Sequence, residues 1–233
     1  MTDRTVTWGG LHNARDLGGL PAGPTATTRP GRIFRTPRLD GLDEQGWNQL
    51  VDAGVRTIVD LRNPHEISAL PLPTGVTRHH RPVEVWEDRE FMARWGDVLD
   101  SPEYYRANLD TWPELIVGAV RAVGDAPDGA VVIHCSAGRD RTGLITALLL
   151  SLVGVPLDTI VQDYATAVVA MNDYALAGLG DETGRTSEEL AARLADVTGH
   201  LRALLADLDV AQYLTEHGMS ADELARVRAR LLD

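Results

Sequence analysis

The chain has 233 residues, of which 44% are hydrophobic and 24% are charged, and its formal net charge is −12 at pH 7. This length is sufficient for one large core domain, or for a core domain with an appendage. The acidic balance excludes a protein that binds nucleic acid through a domain-wide basic surface.

The sequence also indicates a compartment. The single cysteine excludes an intrachain disulfide framework and fits a reducing environment. The longest apolar run, at about residues 144–155, is shorter than the roughly 20 residues that a membrane span needs. The first residues lack the apolar region of a secretory signal. We therefore expect a cytoplasmic protein without a membrane span, and secretion without a signal peptide stays open.

The first half of the chain alternates predicted strands and helices. Short apolar runs predict strands over residues 31–35, 55–61 and 76–85. Helical spacing, followed by a glycine, predicts a helix over residues 42–53. Ser101-Pro102 begins another helix, with proline at its first helical position. The capping-box pattern at residues 111–114 predicts the start of the next one.

The second half begins with a buried strand at residues 130–133, a short loop and a helix from Thr142. Only helices follow, over residues 156–170, from a capping box at Thr186 to residue 208, and from a capping box at Ser220. We predict an α/β fold in which helices flank a central, mostly parallel sheet. A phosphate-binding loop lies between a strand and a helix, and the C-terminal part is helical. Residues 1–233 are expected to form a single domain.

The loop after residue 133 carries the clearest chemical signal. Cys135, the only cysteine, lies where the predicted strand meets the predicted helix. Backbone amides at a helix N-terminus point at the loop and form a site for an anion. The same electropositive setting favours a thiolate over a thiol. One loop therefore offers both a nucleophile and an oxyanion cradle.

The spacing from Cys135 to Arg141 points to phosphate chemistry. In a tight loop, six positions bring the guanidinium back over the sulfur, where it can bind two phosphate oxygens. The thiolate then attacks phosphorus in line and forms a cysteinyl-phosphate, which water splits later. Gly138 permits the close backbone approach. The predicted phosphate-binding residues are Ser136, Ala137, Gly138, Arg139, Asp140 and Arg141, supported by ring hydrogen bonds from His134 and by a hydrogen bond from the Thr142 hydroxyl to the sulfur.

Two aspartates are candidates for the proton donor to the leaving group. Asp140 lies inside the loop, but the flanking arginines oppose its protonation, which a general acid requires. Asp60 lies at the carboxyl end of a strand, where open α/β sheets place their sites. The alternative for Asp60 is an ion pair with Arg62 at the strand end. The sequence leaves this choice open.

Four segments carry a family resemblance. Residues 134–143 resemble the active loop of the protein-tyrosine phosphatase superfamily, in the variant of a bacterial tyrosine/lipid phosphatase family. Residues 13–19 are similar to that family's Asn-x-Arg-Asp-x-Gly-Gly motif. Residues 32–36 resemble its Arg-Leu-Phe-Arg-Ser strand, and residues 60–66 resemble its Asp-Leu-Arg-x-x-x-Glu element.

The resemblance implies roles and a substrate class. By this likeness Cys135 is the nucleophile, Arg141 binds phosphate, and Asp60 and Asp140 match aspartates implicated in proton donation. The family acts on phosphotyrosine, sometimes on phosphoserine or phosphothreonine, and often on phosphoinositides. It also implies a mobile helical lid, here within about residues 172–208. Arg139 stands where the family often has a lysine linked to phosphoinositide recognition.

The sequence therefore predicts a tyrosine or dual-specificity phosphatase that needs neither a cofactor nor a metal. Its expected substrate is a phosphorylated protein or a small phosphoester, and a phosphoinositide is the alternative. Two other classes stay open. A rhodanese-like sulfurtransferase also uses a loop cysteine on an α/β sheet, although the Arg-Thr-Gly ending at residues 141–143 speaks against it. A catalytically inactive phosphate-binding module ranks last, because the loop residues that the chemistry needs are present.

Overall fold

The central feature is a five-stranded sheet. The structure is a computed structural model that describes residues 4–67, 69 and 71–232. Residues 1–3 and 233 lie outside the described residues. The first three belong to the segment assessed above for a secretory signal, and the last belongs to the predicted domain. The strands are β1 (Arg15–Asp16), β2 (Pro21–Ala22), β3 (Ala26–Thr27), β4 (Ile33–Thr36), β5 (Val55–Asp60), β6 (Thr77–His80) and β7 (Ala130–His134).

The strand order in the main sheet is β1-β4-β7-β5-β6. Strands β4, β7, β5 and β6 run parallel to one another, and only β1 at the edge is antiparallel. Strands β2 and β3 form a separate small hairpin. The predicted mostly parallel α/β sheet is confirmed.

Helices cover the sheet and form the C-terminal part of the chain. They are α1 (Glu44–Asp52), α2 (Arg89–Trp95), α3 (Tyr105–Thr111), α4 (Pro113–Gly124), α5 (Asp140–Leu152), α6 (Leu157–Leu176), α7 (Ser187–Asp207), α8 (Val210–Glu216) and α9 (Ala221–Leu231). None of the helices in the described ranges combines the length and the apolar character needed to cross a bilayer.

Alternate residues of the strands face two hydrophobic cores. Val131 and Ile133 of β7 point to the larger core, which also contains α4, α5 and α6. Ala130 and Val132 point to the smaller core on the opposite face, which contains Leu50 of α1. This period of two, with both faces apolar, is typical of a strand buried between helix layers. It fixes the direction in which β7 delivers the following loop.

The parallel strands end together at one edge of the sheet. Thr36, Asp60 and His80, the last residues of β4, β5 and β6, lie in register with the end of β7: Thr36 and Asp60 pair with His134, and Asp60 pairs with His80. Connections that are far apart in sequence therefore converge there, at residues 37–43, 61–66, 81–88 and 135–139. In open α/β sheets, ligand sites form at this edge.

Helix α4 begins differently from the sequence prediction. Thr111 was expected to cap it, but Thr111 is the last residue of α3, and the Trp112 amide still donates to the Asn108 carbonyl at 3.0 Å. Helix α4 starts at Pro113 without a side-chain cap. Proline suits the first helical position because it has no N–H to satisfy.

Two other helix boundaries shift. Helix α5 begins at Asp140, two residues before the predicted start, and α6 extends six residues beyond its predicted end, to Leu176. The capping boxes at Thr186 and Ser220 are both present, with the cap hydroxyl accepting from the third helical amide.

Candidate active site

The loop between β7 and α5 is held from behind by its carbonyl groups. The carbonyl oxygens of residues 136–139 all accept hydrogen bonds from the surrounding protein. The donors are the Arg38 amide at 2.8 Å, the Asn13 side-chain amide at 2.9 Å, and the Arg35 guanidinium at 2.7 and 3.3 Å. With the carbonyls directed outward, the opposite edge of each peptide group, which carries the N–H, is directed to the inside of the loop.

The amides of this loop are available to a ligand. Within the described ranges, no group accepts a hydrogen bond from the backbone N–H of residues 136–141. Successive free amides at the start of an α-helix form a cradle for an anion. Gly138, at φ +67°, makes the turn possible: a Cβ there would lie 2.4 Å from the Thr36 carbonyl oxygen. The loop amides that the predicted anion cradle would use are therefore without an acceptor in the described part of the chain.

Cys135 stands at the entrance to this cradle. It is 2% exposed and lines a cavity of about 570 Å³, together with Arg139, Asp140 and Arg141. The His134 ring contributes Nδ1 to a 3.0 Å hydrogen bond with the Cys135 carbonyl, which fixes the loop as expected. Burial lowers the pKa of His134. The thiol thus occupies a nearly closed site that opens only toward the cavity.

The hydrogen bond expected from Thr142 to the sulfur is absent. The Thr142 side chain is fully buried, and its hydroxyl has no hydrogen-bond partner in the described protein. Because α5 already begins at Asp140, Thr142 lies in its first turn with its side chain in the helix packing.

All 22 cationic side chains of this protein are arginines, and the chain contains no lysine. Two of them, Arg139 and Arg141, line the cavity, and both are paired with carboxylates. Arg139 donates to Asp140 at 2.8 Å and to both oxygens of Glu182 at 3.0 and 3.2 Å. Burial lowers the pKa of Arg139, but these carboxylates outweigh it and raise the pKa. Arginine is the side chain best shaped for a phosphate.

Arg141 is held by two glutamates. Its guanidinium forms a bidentate pair with Glu66, with one contact at 2.8 Å, and lies 3.4 Å from Glu84. Burial would lower the pKa of Arg141, but the hydrogen bonds that it donates to Glu66 and the nearby negative charges raise it well above its usual range. A bidentate carboxylate fixes the plane of the guanidinium, so Arg141 is presented to the cavity in one orientation.

Asp140 lies beside the cavity, and both of its carboxylate oxygens accept hydrogen bonds. Tyr164 donates its hydroxyl to Oδ1 at 2.6 Å, and Arg139 donates Nε to Oδ2. Tyr105 donates to the Asp140 carbonyl at 2.7 Å. These contacts anchor the first residue of α5 and hold the carboxylate at the wall of the cavity.

Asp60 lies away from the cavity. It is fully buried at the end of β5 and chelated by Arg62, which donates to Oδ1 at 2.9 Å and to Oδ2 at 2.8 Å. Burial raises the pKa of Asp60, but the hydrogen bonds from Arg62 and the charge of His134 outweigh it and lower the pKa. Asp60 therefore forms the ion pair with Arg62 that was the alternative for this residue. Asp60 is not among the residues that line the cavity.

Behind the loop lies a buried cluster of four charged side chains, which we call the Asp163 cluster: Arg4, Arg15, Arg35 and Asp163. Asp163 contacts Arg4 at 2.6 Å, Arg35 at 2.5 Å and Arg15 at 3.4 Å. Burial raises the pKa of Asp163, but the three guanidinium groups outweigh it and lower the pKa strongly. Burial and the charge of Arg35 lower the pKa of Arg15 to about 10. Arg35 links this cluster to the loop carbonyls described above.

Two site residues were not among those that sequence reasoning selected as catalytic or binding. Glu66 belongs to the Asp-Leu-Arg-x-x-x-Glu element, so the sequence motif included this residue but did not predict a role for it. Glu84 carried no motif, and its only clue is that it follows β6. Both lie on connections that leave the carboxyl edge of the sheet, where side chains from separate strands meet. Within the described ranges, no group of three or more metal-binding side chains could hold a metal ion.

The chain is similar in sequence to known phosphatases. A model of the tyrosine phosphatase family matches residues 6–233. The chain is 29% identical, over 186 residues, to the triple specificity protein phosphatase PtpB of Mycobacterium tuberculosis, with 66% of each chain covered. It is 33% identical, over 150 residues, to a tyrosine-protein phosphatase of Nostoc commune, with 60% of this chain and 50% of the relative covered. The matches thus span about two thirds and one half of these relatives' lengths.

Proposed function

The chain belongs to the tyrosine phosphatase family, and from this premise we propose that it hydrolyses phosphotyrosine through a cysteinyl-phosphate intermediate. One observation carries the proposal: the free amides of residues 136–141 form a cradle with Cys135 at one end and Arg141 at the other. This arrangement fits a phosphoryl group whose phosphorus faces the sulfur.

The reaction follows from the positions of these groups. The Cys135 thiolate attacks phosphorus, the S–P bond forms, and the bond from phosphorus to the leaving oxygen breaks as that oxygen takes up a proton. The loop amides and Arg141 stabilise the negative charge on the three equatorial oxygens. Water then attacks phosphorus, the S–P bond breaks, and inorganic phosphate and the thiolate are released.

The rim of the cavity favours an aryl phosphate over an alkyl one. Trp86 and His65 line the cavity, and their ring centroids are 5.2 Å apart. Trp86 is about half exposed, so one face of its ring is open to a ligand. A phenyl ring next to the phosphate can pack against this rim, which a serine or threonine side chain cannot do.

The two aspartates proposed as proton donors receive different roles. Asp140 lines the cavity, and we assign it a positioning role: it orients Arg139 and the start of α5 beside the substrate. Asp60 is fully buried, positions Arg62 at the strand end and does not line the cavity. We therefore assign proton donation to neither aspartate.

The proposal is tested with purified protein in EDTA on four substrates: para-nitrophenyl phosphate, a phosphotyrosine peptide, a phosphoserine peptide and a phosphoinositide. We expect the protein to hydrolyse the two aryl phosphates, para-nitrophenyl phosphate and the phosphotyrosine peptide. EDTA should not change the rate of this hydrolysis. We also expect Arg141→Ala to lower kcat/KM by about 10²- to 10³-fold, because a preorganised donor to the transition state is lost. A preference for the phosphoinositide would replace phosphotyrosine as the proposed substrate, since the family resemblance also implies activity on such lipids. Thiosulfate–cyanide activity without hydrolysis would favour a sulfurtransferase, and phosphate binding without turnover would favour an inactive module.

We further propose that the lid is narrower than the predicted residues 172–208. Helix α7 packs on the core through Val197, Leu201 and Leu204, which are buried, so its apolar face is already occupied. The connection at residues 177–186 carries Glu182 over the cavity, with two glycines at positive φ near its start. This connection is the part that can open with a small loss of burial.

Glu182 competes with the substrate for Arg139. Because the Glu182 side chain is 42% exposed, solvent screens the pair and weakens it. We expect Glu182→Gln to lower KM about two- to five-fold with kcat nearly unchanged, measured by steady-state kinetics on the phosphotyrosine peptide. Asp181→Asn is the matched control: it removes a neighbouring charge that has no ion pair among the described residues. An equal fall in KM for both variants would indicate a general charge effect and contradict the specific pair.

A further inference from the structure

Glu84 is a buried carboxyl group at the wall of the active-site cavity. It lies on the connection after β6, is 5% exposed, and lines the cavity of about 570 Å³ with Cys135 and Arg141. No step of the mechanism above uses it. A carboxyl group in this position has access to the same space as the leaving oxygen of a bound phosphoester.

The partners of Glu84 are distant compared with those of its neighbours. Asn63 donates to Oε1 at 3.2 Å, the Tyr104 hydroxyl lies 3.5 Å from Oε2, and Arg141 lies 3.4 Å away. By contrast, Glu66 holds Arg141 through a bidentate pair with a 2.8 Å contact. Glu84 is therefore buried without the short ionic contacts that stabilise a carboxylate.

The charges around Glu84 favour its protonated form. Burial raises the pKa of Glu84; Arg141 lowers it, the carboxylates of Glu66 and Asp140 raise it, and Tyr104 lowers it. The pKa is raised overall, whereas the pKa of Glu66 is lowered because its hydrogen bonds from Arg141 outweigh its burial. A bound phosphate dianion adds negative charge beside Arg141 and acts in the same direction. Two neighbouring carboxyl groups with opposite shifts are typical of an acid and its positioning partner.

We propose that Glu84 is the general acid of the reaction. The proposal rests on the proposed phosphatase function. As the S–P bond forms and the bond to the leaving oxygen breaks, the Glu84 carboxyl proton moves to that oxygen and leaves a carboxylate. In the second step this carboxylate accepts a proton from the attacking water as the S–P bond breaks. Glu84 is then protonated again, and the Cys135 thiolate and the phosphate are free.

Of the other carboxyl groups that line the cavity, Asp97 is exposed and Asp100 pairs with Arg193 at 2.9 Å. The remaining three are also less suited to this role. Asp140 accepts hydrogen bonds at both oxygens from Tyr164 and Arg139. Glu66 is occupied by Arg141, and Glu182 by Arg139. Glu84 is thus the carboxyl group, among these four, that is buried at the cavity and free of a short contact with an arginine.

The test uses leaving groups of different basicity. The Glu84→Gln variant is compared with the wild type on phenyl phosphate, whose leaving group needs a proton, and on 2,4-dinitrophenyl phosphate, whose leaving group does not. We expect kcat/KM, which reports the steps up to formation of the cysteinyl-phosphate, to fall about 100-fold on phenyl phosphate and less than about five-fold on 2,4-dinitrophenyl phosphate. Any fall of wild-type kcat/KM that follows deprotonation of Glu84 as the pH rises should be absent in the variant. The activity retained on 2,4-dinitrophenyl phosphate also reports that the variant is folded.

Glu66→Gln and Asp140→Asn are the matched controls. Loss of the Arg141 positioning contact in Glu66→Gln should lower kcat/KM on both substrates by a similar factor. The role of Glu84 is overturned if Glu84→Gln behaves in that way, or if Asp140→Asn shows the dependence on leaving group. These outcomes leave Cys135-dependent hydrolysis intact, so they differ from failure of the proposed function, in which the wild type hydrolyses neither substrate.

Discussion

Replacing Cys135 with serine is expected to abolish turnover while leaving the phosphate site formed. A serine hydroxyl in the loop is not ionised, so attack on phosphorus loses its nucleophile, and kcat should fall by at least about 10⁴-fold, or about 5 kcal/mol. The backbone amides that hold the phosphate do not depend on the sulfur. Inorganic phosphate should therefore raise the Tm of Cys135→Ser as it raises that of the wild type.

A covalent label provides an independent measurement of the same residue. Because Cys135 is the only cysteine, iodoacetate should add once to the native protein, at Cys135, and mass spectrometry reads the adduct directly. Inorganic phosphate should slow the labelling and protect activity to the same degree, since both anions use the same cradle. Full activity after complete labelling, or in Cys135→Ser, would contradict a nucleophilic role.

The second large effect is expected at Asp163, which is buried and does not line the cavity. Asp163→Asn removes the only carboxylate of the Asp163 cluster and leaves three neighbouring guanidinium groups without their counter-charge. Breaking a buried pair in this way costs about 3–5 kcal/mol in the free energy of unfolding, measured by urea denaturation. Activity should fall as well, because Arg35 holds the loop carbonyls of residues 138 and 139.

Asp158→Asn is the matched control on the same helix. Asp158 is highly exposed and pairs with Arg202 at the surface, so its removal should change the free energy of unfolding by less than about 1 kcal/mol. Similar losses for the two variants would contradict the role of the buried cluster.

The dependence of stability on pH provides a further test of Asp163. Because folding lowers the pKa of Asp163, its contribution to the free energy of unfolding is present above roughly pH 4 and declines as the pH falls below that value. Asp163→Asn should lack this acid-side loss.

Both arginines that line the cavity are paired with carboxylates. Arg139 and Arg141 both face carboxylates, and the chain as a whole carries a net charge of −12. In the mechanism that we propose, a phosphate dianion displaces Glu182 from Arg139, whereas the Glu66–Arg141 pair stays in place. Substrate binding and movement of the connection at residues 177–186 are coupled in this arrangement, because both require the same arginine.

By itself, the sequence determined the fold class and the position of the loop that carries Cys135. Alternating apolar strands and helix starts are local signals, and they place Cys135 between β7 and α5 without reference to distant residues. Capping boxes at Thr186 and Ser220 were read correctly for the same reason. The prediction that Thr111 caps α4 was wrong, because Thr111 is still part of α3 and a helical residue cannot serve as the cap of the next helix.

Only the tertiary structure decided which charged groups meet at the loop. Parallel strands bring connections 50 to 75 residues apart to one edge of the sheet, so Glu66 and Glu84 reach Arg141 from segments that show no mutual pattern in sequence. Burial then separates carboxyl groups that look alike in sequence: Arg62 neutralises Asp60, and Glu84 is left with weak partners. Such differences come from desolvation and short-range charge contacts, which depend on three-dimensional position and not on residue type.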